Sequence, residues 1–119
     1  MQRTFQQVYT LGPTLAANHI FVFKAPFDMQ LVHVSLGNST ANAGTLKIGD
    51  DSDDDCYLAA ETFGVSGTPL QVATFAGFDG ADAGSQFPHI DDGDLVKVTI
   101  TDHASHMANV CVVLTFTEG

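Results

Sequence analysis

At 119 residues, 45% hydrophobic and 15% charged, the chain can build one two-layer core, not two, and is too apolar to be disordered throughout. Its acidic residues outnumber Lys and Arg 14 to 4, and the net charge of −10 opposes contact with phosphate backbones and anionic membranes, which disfavours direct nucleic-acid binding. The N-terminus, Met-Gln-Arg-Thr-Phe-Gln-Gln, has no apolar export core, and no apolar run reaches membrane-spanning length. A soluble protein made in a cytoplasm is therefore expected. Cys56 and Cys111 are too few for a disulfide framework; a bridge between them stays open, and Cys111, inside an apolar run, reads as a small hydrophobe.

Residues 4–11 read as a first strand or as an extended N-terminal arm within residues 1–12, with Phe5, Val8 and Tyr9 as its apolar content and Gly12-Pro13 ending it. The next run, His-Ile-Phe-Val-Phe-Lys at 19–24, is apolar at successive positions and predicts a strand covered on both faces, broken at Pro26. Over 30–36, Val32, Val34 and Leu36 share one face with Gln30, while Leu31, His33 and Ser35 take the other, and Gly37-Asn38-Ser39 closes the strand. Leu46 and Ile48 mark a short strand over 45–48. Residues 49–55 form an acidic loop before an apolar return at 56–59. Turn chemistry at 64–69 leads to a strand over 70–75, and a Gly/Asp/Ala loop at 77–84 has Phe78 in its middle.

The last quarter carries the clearest pattern. Val96, Val98 and Ile100 alternate with Lys97, Thr99 and Thr101, and Val110, Val112, Leu114 and Phe116 repeat that period. This predicts two adjacent one-face-buried strands around an exposed hairpin tip at 102–108. About seven or eight short strands without an amphipathic helix predict an all-β, antiparallel sandwich of jelly-roll type, a single domain over 1–119.

No motif fixes a chemistry. The acidic run at 50–55 can offer oxygens to calcium, but it lacks the glycine and distal glutamate of the helix-loop-helix site, and a solvated hairpin tip accounts for it. His103 and His106 with Asp102 lack the spacing of a zinc set. Asp91, Asp92 and Asp94 could pair as hydrolase carboxylates, although a Gly-Asp turn before a strand explains them more simply. No nucleophile motif or phosphate loop occurs, so neither an enzyme nor a cofactor or metal is expected. With no Trp and only Tyr9 and Tyr57, exposed platforms for a glycan are scarce; the nine Phe suit cores and protein contacts, and Phe63, Phe75, Phe78 and Phe87 fall in or near loops.

The run Phe-Val-Phe-Lys-Ala-Pro-Phe-Asp-Met-Gln-Leu-Val-His-Val-Ser-Leu-Gly at 21–37, with Gly-Asp-Leu-Val-Lys-Val-Thr-Ile at 93–100 and the closing Val-Cys-Val-Val-Leu-Thr-Phe, resembles the small β-sandwich virion proteins of tailed bacteriophages. Capsid decoration (cement) proteins and head-fibre or tail-associated modules share this look over residues 17–119. The resemblance implies a homo-oligomer, commonly a trimer, seated on the major capsid protein of the outer lattice, and it supplies no catalytic residue. Phe5, Val8, Tyr9, Phe63, Phe78 and Phe87 are the expected partner-binding residues, with the arm adding a strand to a neighbour or else serving as an ordinary edge strand. A glycan- or receptor-binding module is the alternative.

Overall fold

A computed structural model describes residues 2–78 and 86–119; residues 79–85, most of the expected 77–84 loop, and the Phe75 side chain lie outside the description. Among the described residues there are nine strands: β1 (Thr4–Thr14), β2 (His19–Lys24), β3 (Met29–Gly37), β4 (Thr45–Gly49), β5 (Leu58–Thr62), β6 (Leu70–Val72), β7 (His89–Ile90), β8 (Leu95–Thr101) and β9 (Ala108–Glu118). One short 3-10 turn covers Phe75–Gly77. One sheet runs β1-β9-β3-β6, with β7 also on β3, and faces a second sheet ordered β2-β8-β4-β5; every strand pair is antiparallel.

The pairs nest. β4 pairs with β5, β3 with β6, β2 with β8, and β1 with β9, as if one long hairpin had been rolled over itself. This is the jelly-roll form of the sandwich. The inner faces supply the core: Leu46 and Ile48 of β4, Val96, Val98 and Ile100 of β8, and Val110, Val112, Leu114 and Phe116 of β9 are all buried. Alternation predicted these inner faces because a strand's side chains point to opposite sides with period two.

Several expectations are corrected. β8 and β9 are not neighbours. They belong to opposite sheets, and residues 102–107 carry the chain from one to the other, with Met107 fully buried in the core. Alternation reports one buried side per strand; it is silent on which strand lies alongside. Gly12-Pro13, joined by a cis peptide, does not end β1 but sits in a bulge, where Leu11 opposes Val110 and Thr14 opposes Ala108. Of the two readings of the N-terminal segment, the structure shows the edge strand, hydrogen-bonded to β9 of its own chain.

β2 is covered on one face only: Ile20 and Val22 are 60% and 58% exposed. In β3 a register shift between Leu31 and His33 moves Leu31 onto the buried side with Val34 and Leu36, and Val32 off it. One extra residue inverts the faces on either side of it. Cys111 points outward and is exposed, and both cysteines are free thiols, so no bridge joins them. β5 begins at Leu58 and not at Cys56, and β6 stops at Val72.

Candidate interaction surface

β1 and β2 are the terminal strands of their sheets, and both lie on one flank of the sandwich. Their inward side chains meet there. Tyr9 stacks on Phe21 with ring centroids 4.3 Å apart, and Phe5 lies 5.7 Å from Phe23, 6.4 Å from Phe27 and 5.8 Å from Phe116. The Arg3 guanidinium caps this seam 4.1 Å above Phe27, held in place by Glu118. Aromatic rings fill a gap that hydrogen bonds cannot cross, since facing sheets stand about 10 Å apart. Beyond the seam the outer edges of both strands carry no paired strand among the described residues.

The outward face of the first sheet has an unusual composition for so acidic a chain. Across β1, β9 and β3 the ladder sets Thr4, Thr117 and Gln30 in one row, then Gln6, Thr115 and His33, then Val8, Val113 and Ser35, then Thr10, Cys111 and Gly37. None of these is Asp, Glu, Lys or Arg. All are exposed or half-buried, Val8 at 56%. Gln6 Nε2 donates to Thr115 Oγ1 at 3.1 Å, so the rows are tied together. Residues 2–24, which build the flank, contain no acidic residue at all. Most described acids sit in turns and at strand ends: Asp28, Asp91, Asp92 and Asp94 at one end with Glu118 at the close of β9, Asp102 at the other, and the run at 50–55 on the β4–β5 connection; Glu61 lies within β5, away from this face.

That acidic connection is locally organised. Asp50 Oδ1 accepts from the Ser52 and Asp53 amides at 2.9 and 2.8 Å, which holds its carboxyl below the usual range, and Lys47 does the same for Asp54 across 3.0 Å. Asp55 is pushed up by its contact with Asp53. Asp53, Asp54 and Asp55 can bring one oxygen each within 4.8 Å of one another, which is half or less of the roughly six to eight oxygens calcium takes. Burial, with Asp50 adding to it, raises the Cys56 thiol to about 11, which keeps it protonated and unreactive. Asp91, Asp92 and Asp94 are all exposed on one turn, closed by the Asp94 amide donating to the Asp91 carbonyl at 3.0 Å with Gly93 at φ 84°; they do not converge in a cleft. Tyr57 is buried and Tyr9 has a ring face covered by Phe21, so neither is a free platform for a sugar.

Of the residues expected to touch a partner, Val8 is exposed on the uncharged face, and Phe5 and Tyr9 are half-buried in the seam beside it. Phe87 is half-buried against the core, where its ring meets Phe78 at 5.8 Å. Phe63 and Phe78 are each 2% exposed and belong to the core. A loop position in sequence does not mean a surface position when the loop folds back over an open sandwich end. Ile20 and Val22 are the most exposed large apolar residues that sequence reading missed, ahead of Leu70 on β6. Their alternation with Phe21 and Phe23 was visible, but two apolar faces on one strand look alike whether the second is covered or bare.

No family model matches the chain, and no curated protein matches it. Among solved structures, a chain of the cyanophage Pam1 capsid asymmetric unit shares the fold at TM-score 0.62 and 17% sequence identity, covering 98% of this chain and 82% of that one. Identity that low speaks to the fold alone.

Proposed function

We propose that the chain is a structural protein of a bacteriophage virion, a capsid decoration protein that lies on the outer lattice of the major capsid protein and stabilises the shell. The observation that carries this reading is the uncharged outer face of β1, β9 and β3 on a chain of net charge −10. Interface cores are depleted in charged residues, and a Thr/Gln/Val face satisfies both donors and acceptors of a facing surface without desolvating an ion. The fold shared with a cyanophage capsid chain supports the same setting. A cement protein needs no catalysis, and the exposed Asp91–Asp94 turn fits a non-enzyme. Many copies bound together convert modest single contacts into shell stability.

Self-association belongs to this reading. The threefold count comes from the resemblance, whereas the geometry offers strand edges. Because β1 is β9's partner, removing residues 2–11 would strip the sheet, so the test is a point change on the face. Particles purified from a host carrying the gene should contain the chain at on the order of hundreds of copies, and Val8→Glu should lower that occupancy at least about tenfold while leaving the fold intact, because a carboxylate buried in the contact has no counter-charge. A chain absent from particles, or a handful of copies untouched by Val8→Glu, would overturn the decoration role.

A further inference from the structure

We propose that β2 of one copy pairs antiparallel with β2 of a second copy, continuing the four-stranded sheet across a twofold axis. β2 bonds to β8 along one side, in a register without a shift, and no described strand lies along the other. Natural edge strands are usually blunted by proline, a bulge, an inward charge or a covering loop. β2 shows none of these among the described residues. Its single charge, Lys24, is the last residue, and Ile20 and Val22 stand 60% and 58% exposed on its outward face.

The occupant follows from charge and register. A partner must approach through the acid-free residues 2–24, so on this flank two chains of net charge −10 can meet without setting carboxylates of that segment against each other. About a twofold axis at Phe21, its ring faces the Phe21 ring of the second copy, Ile20 faces Val22, and Lys24 faces Asn18. Each contact is then made twice, as a closed isologous interface requires. Aromatic and β-branched cross-strand pairs are the favourable ones, and no like charges oppose. Because the seam ties β1 to β2 on this flank, the same axis brings the two β1 edges alongside. A flank about 20 Å wide and 25 Å long gives roughly 500 Å² per copy and 1,000 Å² in all, at the lower bound for a specific interface. The axis stands across both sheets, so the dimer turns both uncharged β1-β9-β3 faces the same way. This pairing does not depend on the virion role.

Sedimentation equilibrium of the purified chain at micromolar to millimolar concentration should show a species of about 25 kDa, twice 12.6 kDa. Ile20→Lys combined with Val22→Lys should weaken the dimer about a hundredfold or more with an unchanged circular dichroism spectrum, whereas Val113→Lys on the outer face should leave it alone. In a Cys56→Ser, Cys111→Ser background, the Ile20→Cys, Val22→Cys double variant should oxidise to a covalent dimer, and Ile20→Cys alone should not. A chain that stays monomeric throughout, an oligomer indifferent to the paired lysines, or crosslinking by Ile20→Cys alone overturns the pairing. Absence of the unmutated chain from particles, with the dimer intact, would instead count against the virion role.

Discussion

Asp102 shows how one side chain can hold a crossing between sheets. Its Oδ1 accepts from the His103 and Met107 amides, each at 2.9 Å, and its Oδ2 lies 2.6 Å from His106 Nδ1. Burial of the carboxyl raises its pKa, but the Met107 amide, His106 and the His103 amide outweigh that and hold it below the usual carboxylate range. The anchored Met107 then fills the core, and its sulfur accepts from the Gly44 amide at 3.1 Å. Asp102→Ala leaves those amides without their acceptor and should cost about 1–3 kcal/mol at neutral pH, read from urea unfolding. A folded-state pKa below the unfolded one contributes stability that is complete above the unfolded value, near 4, and is lost as pH falls through the folded value. The gap between wild type and Asp102→Ala should therefore narrow on acidification below about pH 5. A gap that stays constant to pH 2 would show that the carboxylate's charge is not what holds the crossing.

At the scale of strands, Phe116 connects three of them: its ring is fully buried on β9 and meets Phe5 of β1 at 5.8 Å and Phe23 of β2 at 5.9 Å. Phe116→Ala should cost about 3–5 kcal/mol in urea unfolding, through lost transfer energy and a cavity spanning both sheets, whereas Val22→Thr on the bare face of the monomer should fall within about 0.5 kcal/mol. Strand existence and inner faces could be read in the sequence wherever alternation was clean, as in Val96, Val98 and Ile100. Three things could not. Pairing partners are set by the rolling of the whole chain, so β8 and β9 looked like a hairpin although they belong to opposite sheets. Bulges leave no trace in apolar spacing, which is why Leu31 and Val32 exchanged sides. Burial of a loop aromatic depends on what the loop covers, and Phe63 and Phe78 proved to be core residues. The uncharged face escaped notice for a related reason: its rows are assembled from segments about a hundred residues apart, such as Gln6 and Thr115.

For the molecule as a whole, the charge is sorted by architecture. Among the described residues most carboxylates occupy turns and strand ends, where water solvates them, and the broad face of one sheet and the flank beside it are left for contact. The nested pairing that produces this arrangement has a separate consequence. It ends with β1 hydrogen-bonded to β9, so Gln2 Nε2 donates to the Glu118 carbonyl at 2.6 Å and the Arg3 carbonyl accepts from the Glu118 amide at 2.8 Å. The polypeptide is thus nearly a closed circle, and its point of opening is arbitrary with respect to the core. A circular permutant, with Gly119 joined to Gln2 through a few glycines and new ends cut between Asp51 and Ser52, should fold to the same sandwich. Its stability should lie within about 2 kcal/mol of the parent, the loss coming from the Asp50 contacts at the cut. Failure of that permutant to fold would mean that the order in which the hairpin rolls up, and not only its final pairing, is written into the chain.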